Sequence, residues 1–335
     1  MNLQAEKSGG ELLRQFERLD EPRVYNEESC AAMADTLRRI RELKKERDAV
    51  ILAHNYQRPE IFEVADFVGD SLELARKGTA LAAPVIVFCG VHFMAESAKI
   101  LSPEKTVLLP DLRAGCSLAD SVNADDLVER RDQLRKTFPD LAVVAYVNTS
   151  AAVKAVVDVC CTSSNALEIV EALPSRNILF VPDEHLGSYV QSQTDKNIIT
   201  WNGNCYVHHQ ITPKSILQVK RAIPNVKVLV HPECRDDVVA LADAVLSTSG
   251  MVRYAKESDA QEFLVVTECG LSDKLLMEVP EKQFYKACKL CQFMKMITLD
   301  NVVSSLENMQ FKIEIDEDVR VAAAASLDRM LQLSK

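Results

Sequence analysis

Three stretches of the chain decide its fold: ILAHNY (51–56), VVAYVN (143–148) and VLVHPE (228–233). Each begins as a run of apolar residues and ends in side chains that can form hydrogen bonds. Continuous apolar runs of this length, separated by amphipathic stretches, are typical of buried strands in parallel βαβ units. The sequence therefore predicts an α/β protein, and the likeness of the three stretches indicates an internal repeat.

The spacing around the three stretches is nearly the same in each copy. We count from the fourth residue of each stretch, which is His54, Tyr146 or His231. A short apolar run leads to a hydroxyl residue 17 positions later, a second strand ends 36 positions later, and a cysteine follows after 62, 59 or 60 positions. The equivalent residues are the hydroxyl set Ser71, Ser163 and Thr248 and the cysteine set Cys116, Cys205 and Cys291.

The repeat divides the chain into four segments. Residues 1–48 are predicted to form an N-terminal helical segment, 49–118 the first α/β repeat, 119–204 the second and 205–299 the third, with 300–335 expected to pack on the first. The carboxyl ends of the strands form the functional edge of an open parallel sheet. Three such units around a pseudo-threefold axis, with these edges inward, would bring three strand ends and three cysteines together.

Composition limits the possible functions. The chain has 335 residues, of which 47% are hydrophobic and 26% charged, as in an ordinary globular protein. Its net charge of −10 disfavours nucleic-acid binding, which requires a basic surface. The longest apolar stretch, 81–95, is interrupted by Pro84, Gly90 and His92 and is too short to cross a membrane. The first 20 residues lack the apolar segment of a signal peptide, so we expect a cytoplasmic protein.

Ten cysteines in a cytoplasmic protein call for an explanation other than disulfide bonds, which are rare in a reducing compartment. Three of them are equivalent in the repeat, and three converging thiolates suit a soft metal ion or an iron–sulfur cluster. A [4Fe–4S] cluster held by three cysteines leaves one iron that can act as a Lewis acid toward substrate oxygen. The other seven cysteines show no threefold relation, and we expect them to be core or bystander residues.

Polar residues at the strand ends favour an anionic ligand. Ser71, Ser163 and Thr248 are expected to be helix N-caps, beside which backbone N–H groups can bind a carboxylate or a phosphate. The three stretches add a ring of hydrogen-bonding side chains: His54, Tyr56, Tyr146, Asn148, His231 and Glu233. Glu233 is the expected general base. For His208, a role beside the cluster or substrate and simple packing both stay open.

In these segments the chain resembles the quinolinate synthase family. The resemblance implies a transferase that condenses iminosuccinate with dihydroxyacetone phosphate to quinolinate, releasing phosphate and two waters, in NAD biosynthesis from aspartate. It also implies three analogous α/β/α domains around a pseudo-threefold axis, as the repeat predicts. The matching segments follow family order from about residue 50 to 300: AHNYQ (53–57), FVGDS (67–71), FCGVHFMAESAKIL (88–101), LPDLRAGCSLADS (109–121), AYVNTSA (145–151), TSSNA (162–166), PDEHLGSYV (182–190), GNCYVH (203–208), HPEC (231–234), STSGM (247–251), TECG (267–270) and CQFMKMITL (291–299).

The resemblance further implies a cofactor and residue roles. One [4Fe–4S] cluster per chain would be held by Cys116, Cys205 and Cys291, and its unique iron would be the Lewis acid. The acid–base residues would be Glu233, His231, His54 and Tyr56. Substrate-binding positions are implied at His54, Ser71, Tyr146, Asn148, Ser163, His208, His231, Glu233 and Thr248. Because iminosuccinate is unstable in water, functional coupling to an L-aspartate oxidase is expected from the pathway, with no nucleic-acid or membrane partner.

One departure and two alternatives remain. Some members of the family carry a C-x-x-C-x-x-C run that ends at the third ligand, whereas this chain has Tyr285, Cys288 and Cys291 there, which argues against a Cys288–Cys291 redox disulfide. The first alternative is an iron–sulfur hydro-lyase that dehydrates a hydroxy acid. The second is a zinc-stabilised or redox-sensing protein built on Cys288 and Cys291, although structural zinc usually takes four ligands and the chain holds no second C-x-x-C.

Overall fold

The computed structural model describes residues 6–334, and in this range the strands form three separate four-stranded sheets. The strands are β1 (Ala49–His54), β2 (Phe67–Gly69), β3 (Val85–Cys89), β4 (Thr106–Leu108), β5 (Ala142–Tyr146), β6 (Val159–Cys161), β7 (Asn177–Val181), β8 (Asn197–Thr200), β9 (Lys227–Val230), β10 (Ala244–Val245), β11 (Glu262–Val266) and β12 (Gln283–Lys286). The order is β2-β1-β3-β4, β6-β5-β7-β8 and β10-β9-β11-β12, with all neighbours parallel. The predicted α/β fold with three similar units is confirmed.

The register of the sheets repeats with the sequence. In each unit a residue of the first strand pairs with the residue 15 positions later on one side and 36 positions later on the other. In the first unit, for example, Leu52 pairs with Phe67 and Phe88. The corresponding pairs are Val144 with Val159 and Phe180, and Leu229 with Ala244 and Val265. The offset of 36 seen in the sequence is therefore the register of the two central strands.

An aspartate before each second strand fixes this register. In the first unit Asp66 Oδ2 accepts the Ile51 backbone N–H at 2.7 Å, while the Asp66 N–H donates to the Ile51 carbonyl at 2.9 Å. Asp158 with Val143, and Asp243 with Val228, repeat both bonds. The repeat was read from the strand ends and overlooked this set.

Four strands were missed by the sequence analysis. β2, β6 and β10 were taken only as short apolar runs before hydroxyl residues, and β12 was not noticed. These strands have between two and four residues, so they carry too little periodicity to be recognised alone. Each becomes a strand because a longer, mostly buried neighbour offers its backbone groups for pairing.

The helices follow the strands in the same order in each unit. In each unit a short helix follows the first strand, one helix follows each of the next two strands, and a further helix follows the repeat cysteine. Three short 3-10 helices span Glu17–Leu19, Ala119–Ser121 and Met294–Met296. The α-helices are α1 (Gly9–Phe16), α2 (Glu27–Glu46), α3 (Pro59–Phe62), α4 (Ser71–Ala80), α5 (His92–Leu101), α6 (Ala124–Arg135), α7 (Ala151–Lys154), α8 (Ala166–Ala172), α9 (Glu184–Gln191), α10 (Tyr206–His209), α11 (Pro213–Ala222), α12 (Asp236–Val239), α13 (Thr248–Glu257), α14 (Cys269–Glu278), α15 (Leu299–Asn308) and α16 (Glu317–Leu333).

The terminal helices cover the outside of the units. α2 packs on α1 and on α15, and it buries Leu37, Ile40 and Leu43 on one face. α16 packs on α5 of the first unit and on α7, β6 and α8 of the second. The domain limits drawn from the sequence stay a prediction, and residues 1–5 of the predicted N-terminal helical segment lie outside the described residues. None of the described helices is long and apolar enough to cross a membrane.

Two cysteines contradict the expectation that the chain has no disulfide bond. Cys269, at the start of α14, is bonded to Cys288, just after β12, with a Cα–Cα distance of 5.1 Å. The two are neighbours because β11 and β12 run parallel, which carries both following segments to the same sheet edge. They are therefore not the bystanders that the sequence suggested. Cys30, Cys89, Cys160, Cys161 and Cys234 are free and buried, as expected.

Candidate active site

A cavity with about 650 Å³ of space between protein atoms lies where the carboxyl ends of the three sheets meet. It is lined by all thirteen residues to which the sequence analysis gave a role: His54, Tyr56, Ser71, Cys116, Tyr146, Asn148, Ser163, Cys205, His208, His231, Glu233, Thr248 and Cys291. They come from all three units, so no unit forms the cavity by itself. Their assigned roles stay predictions.

The hydroxyl residues reach the cavity, but they are not the N-caps that we expected. The caps are Asp70 for α4, Asn165 for α8 and Ser247 for α13. Asp70 accepts the N–H groups of Leu72 and Glu73, so Ser71 becomes the first helical residue. An Asp before a Ser is as good a cap as the Ser itself, so the sequence alone does not decide between them.

Contacts between the first and third units hold Thr248 in place. Asn55 Nδ2 donates to Thr248 Oγ1 at 2.9 Å and to Ser249 Oγ at 3.2 Å. Ser247 Oγ donates to Asp70 Oδ2 at 3.3 Å. The hydroxyl groups at this side of the cavity therefore have fixed positions before any ligand binds.

Glu233 lies at the centre of the polar residues and is almost fully buried. Its Oε2 lies 2.8 Å from His208 Nδ1 and 3.4 Å from His231 Nδ1. Burial alone would raise the pKa of Glu233, but the two imidazoles and a hydrogen bond from Tyr146 outweigh it and lower the pKa to about 2. Glu233 is therefore held as a carboxylate.

His208 links Glu233, in the third unit, to Tyr56 of the first unit. Its Nε2 lies 2.9 Å from Thr267 Oγ1, which in turn lies 2.6 Å from the Tyr56 hydroxyl. Burial, followed by the charge of Glu233, raises the pKa of Tyr56 well above 10, so the phenol keeps its proton. The side chain of His208 therefore lies among the polar groups of the cavity, and its role beside the cluster or substrate stays a prediction.

His54 and His231 are neutral donors to the cavity. Burial lowers the pKa of each to about 3. His54 Nδ1 accepts the Tyr56 N–H at 3.2 Å, which leaves the proton on Nε2, and His231 Nδ1 stands in the same relation to the Glu233 N–H at 3.4 Å. A histidine two residues before the end of the quoted stretch thus has the same backbone contact in both units.

The three repeat cysteines are free and partly buried, and their environment suits thiolate ligands. Burial raises the pKa of each thiol, to about 12 for Cys116, so deprotonation requires a cation. Backbone N–H groups two or three residues after each cysteine donate to its sulfur, and these hydrogen bonds lower the thiol pKa. The donors are Leu118, Ala119, His208, Phe293 and Met294.

The spacing of the thiols disfavours a single ion bound by all three. In residues 6–334, two groups place three possible ligand atoms within 4.8 Å of one another, and neither contains all three thiols. One zinc ion would require sulfur atoms about 3.8 Å apart, given Zn–S bonds of about 2.3 Å. The two groups are Cys205, His208 and Glu233 in the cavity, and Glu184, His185 and His209 toward the surface.

Several cavity residues had no predicted role. Asp70 and Glu268 add carboxylates, and Thr162 adds a hydroxyl group. Their segments were quoted for the family resemblance, yet nothing in a single sequence separates a wall residue from a packing residue. The apolar part of the wall is formed by Val91, Phe93, Met94, Val207 and Met294.

Two buried polar atoms of the site have no hydrogen-bond partner: Asn148 Oδ1, and His208 Nδ1, whose 2.8 Å approach to Glu233 Oε2 is an ion-pair contact without hydrogen-bond alignment. Asn148 Oδ1 is buried without a hydrogen-bond partner, although its Nδ2 donates to Glu233 Oε1 at 3.5 Å. Buried polar atoms are almost always paired, so an unpaired acceptor in a cavity indicates a ligand with a donor. The fold and the site together define an enzyme class: an α/β protein of three repeats whose shared cavity combines a buried carboxylate, neutral histidines and three free thiols.

The comparisons with known proteins identify the family. The family model described as quinolinate synthetase A protein, NadA, matches residues 38–332. Quinolinate synthase 1 of Methanosarcina acetivorans is 51% identical over 300 residues, which are 89% of this chain and 97% of that protein. The quinolinate synthase of Dehalococcoides mccartyi strain 195 is 53% identical over 298 residues, covering 88% and 97%. That of Thermodesulfovibrio yellowstonii is 50% identical over 301 residues, covering 89% and 98%. The chain belongs to the quinolinate synthetase A family of enzymes.

Proposed function

We propose that this enzyme condenses iminosuccinate with dihydroxyacetone phosphate to quinolinate, with loss of phosphate and two waters, in NAD biosynthesis from aspartate. The names of its relatives and the cavity support this reaction. We further propose that it acts in the cytoplasm and receives iminosuccinate from an L-aspartate oxidase. The observation that carries the proposal is the convergence of three free thiols with a buried carboxylate and two neutral histidines.

We propose that one [4Fe–4S] cluster is held by Cys116, Cys205 and Cys291. The free state of the thiols, their spacing and the N–H groups that point at the sulfurs all fit such a group. When bound, the cluster would supply a Lewis acid that assists the loss of a hydroxyl group, without a change of its redox state.

The hydroxyl residues would bind the anionic parts of the substrates. Ser71 and Thr248 occupy the first positions of α4 and α13, where the helix dipole favours negative charge. Ser163 lies in the turn before α8 in the second unit. Two carboxylates, and earlier in the reaction a phosphate, would lie against these groups, while the Nε2–H of His54 donates from the opposite unit.

Glu233 would remove the proton during isomerisation and Schiff-base formation. It is ionised, within 2.8 Å of His208, and it can share the proton with that imidazole. His208 could then pass a proton to Thr267 and Tyr56, and the Tyr56 phenol would protonate or orient the intermediate during ring closure. Asn148 Oδ1 would accept an N–H from the imine or enamine nitrogen.

The two alternatives make different predictions. An iron–sulfur hydro-lyase would dehydrate a simple hydroxy acid and ignore iminosuccinate. A zinc protein built on Cys288 and Cys291 is disfavoured because Cys288 is bonded to Cys269, not free for a metal.

The test is iron, acid-labile sulfide and zinc per chain in protein purified without oxygen, followed by an assay with freshly generated iminosuccinate and dihydroxyacetone phosphate. We expect about four iron and four sulfide per chain and quinolinate as the product. Cys116→Ser, Cys205→Ser or Cys291→Ser should each remove the cluster, whereas the matched variant Cys89→Ser, a buried free thiol outside the cavity, should retain it.

The outcome that rejects the proposal is equally clear. Zinc, or no metal, in well-folded anaerobic protein would exclude the cluster. Dehydration of hydroxy acids without quinolinate formation would assign the chain to the first alternative.

A further inference from the structure

The three cysteine segments are attached to the fold by the same backbone bond. The carbonyl two residues before each cysteine accepts the N–H of the first residue of the helix that follows the second central strand. In the first unit His92 N–H donates to Ala114 O at 2.8 Å. The other two bonds are Glu184 N–H to Gly203 O at 2.7 Å and Cys269 N–H to Lys289 O at 3.3 Å.

The residue just before each of these helices differs between the units. It is Val91 in the first, Asp183 in the second and Glu268 in the third, and each is the N-cap of its helix. All three are buried, with Asp183 and Glu268 at 0% exposure. The first unit thus lacks a carboxylate at a position where the other two have one.

Both carboxylates contact the main chain of a repeat cysteine. Asp183 Oδ2 accepts the Cys205 N–H at 3.3 Å, and its Oδ1 accepts the Leu186 N–H at 2.8 Å. Glu268 Oε1 accepts the Cys291 N–H at 3.0 Å, and its Oε2 accepts the Gly270 N–H at 2.6 Å. One oxygen therefore caps the helix and the other holds the cysteine.

Glu268 also connects its cysteine to the first unit. Lys295 Nζ lies 3.3 Å from Glu268 Oε1 and donates to the Tyr56 carbonyl at 2.5 Å. Gly270 allows this packing: a Cβ atom there would lie 2.6 Å from Lys295 Nζ and 2.7 Å from the Tyr56 carbonyl oxygen. The segment TECG therefore needs its glycine for space.

We infer that Asp183 and Glu268 are positioning residues that fix the backbone of Cys205 and Cys291, and that the Cys116 segment has no such support. The inference rests on the proposed function, because it treats these cysteines as the ligands of a cluster. A backbone N–H that donates to a buried carboxyl oxygen is restrained by that bond, because leaving the buried donor unpaired would cost its desolvation penalty. Neither carboxylate is given a part in proton transfer.

The test replaces each carboxylate by the residue of the first unit. Asp183→Val and Glu268→Val remove the contact, and Val91 shows that valine fits this position of the repeat. Asp183→Asn and Glu268→Gln keep only one accepting oxygen, so one of the two N–H groups bound by the parent carboxyl group loses its partner. Asp70→Val is the matched control, because Asp70 also caps a helix at this cavity but contacts no cysteine.

Two measurements are made on these proteins. The first is the rate at which a ferrous chelator removes iron from anaerobically purified enzyme. We expect it to rise about tenfold in Asp183→Val and Glu268→Val, to rise less in the amide variants, and to stay near the parent rate in Asp70→Val. The second is the rate of iodoacetamide alkylation of each cysteine in metal-free protein, followed by peptide mapping. We expect Asp183→Val to accelerate the alkylation of Cys205 only. Likewise, Glu268→Val should accelerate the alkylation of Cys291 only.

The outcomes separate the two proposals. Equal acceleration of alkylation at all three cysteines, no acceleration at any of them, or amide variants that lose iron faster than the valine variants would overturn the positioning role. If the parent protein contains no iron, the cluster proposal fails, and the alkylation pattern still decides whether these carboxylates hold the two cysteines.

Discussion

His208 Nδ1 lies 2.8 Å from Glu233 Oε2, and both side chains are almost completely buried. The carboxylate comes from the segment after β9 and the imidazole from α10, which follows Cys205. The imidazole that faces the proposed general base therefore lies on the segment that carries a proposed cluster ligand, whereas the carboxylate itself lies on a different segment. This relationship makes acid–base chemistry separable from cluster binding by experiment.

Glu233→Gln should lower kcat by about 10² to 10⁴-fold, since it removes the base and keeps the shape. Iron content should change little, because the cysteines are untouched. The matched control is Glu60→Gln, a buried glutamate that accepts from the Tyr25 hydroxyl and does not line the cavity. Near-normal turnover of Glu233→Gln with a full cluster would disprove the assignment.

Thr267→Val should uncouple His208 from Tyr56. The Thr267 hydroxyl oxygen lies 2.9 Å from His208 Nε2 and 2.6 Å from the Tyr56 hydroxyl. Valine keeps the volume of the side chain but removes this oxygen. We expect kcat to fall about tenfold with an unchanged KM for dihydroxyacetone phosphate. Thr267→Ser should restore most of the activity, and equal activity of the Val and Ser variants would remove the hydroxyl from the proton path.

Stability should fall as the pH drops below about 6.5. His54 and His231 have a pKa near 3 in the folded protein and 6.5 as the reference value, so the unfolded state binds more protons between these limits. Each histidine could account for up to about 5 kcal/mol, an upper bound because relaxation of the fold reduces it. The stabilisation is complete above pH 6.5 and is lost as the pH falls toward 3.

Denaturant unfolding at several pH values checks this sign. The proton uptake on unfolding between pH 6 and pH 4 should be about one proton smaller in His54→Gln than in the parent. His185→Gln, at a half-buried site outside the cavity, should have a smaller effect on the slope of unfolding free energy against pH. Equal slopes in all three proteins would show that His54 is not buried in the neutral form.

The Cys269–Cys288 bond should stabilise the fold without supporting the cluster. It closes a loop with a sequence separation of 19, for which chain entropy predicts about 3 kcal/mol. In oxidised protein, Cys269→Ser and Cys288→Ser should each lower the unfolding free energy by a similar amount. The double variant should lose no more than either single variant. In excess reductant the parent should match the variants, and iron content should be the same throughout.

Gly203→Ala should destabilise the second unit. A Cβ atom there would lie 2.3 Å from Ser121 Oγ and 2.6 Å from the Pro182 carbonyl oxygen, and the carbonyl belongs to the backbone. We expect a loss of about 1–3 kcal/mol in unfolding free energy. Gly10→Ala is the control, since its nearest contact is 3.9 Å away on a flexible arginine and alanine favours helix. Equal stability of both variants would contradict the crowding at Gly203.

The sequence predicted the units and the convergence of the site because both depend on strand register. An offset of 36 between His54 and Gly90 is visible in the letters and becomes the pairing of β1 with β3. Positions at the carboxyl ends of strands then have to meet at one edge. Their chemical roles stay predictions, because register places a side chain without showing what it binds.

Other features depend on distances that register does not give. Cys269 and Cys288 become partners only because two parallel strands bring the ends of different loops together. Likewise, Asp70 and Ser71 are both good N-cap residues. Which of them caps α4 depends on the backbone conformation just before the helix. Asp183 and Glu268 were quoted only as part of the segments that resemble the family. The structure shows which backbone N–H groups each one accepts.

The single-chain repeat has a consequence for how such a centre can diverge. A symmetric homotrimer encoded by one short gene would carry identical side chains at its three equivalent positions. Once three copies are fused, each position can mutate alone, as the histidine, tyrosine and histidine at 54, 146 and 231 illustrate. Fusion thereby permits an asymmetric substrate to be surrounded by an asymmetric set of groups on a symmetric scaffold.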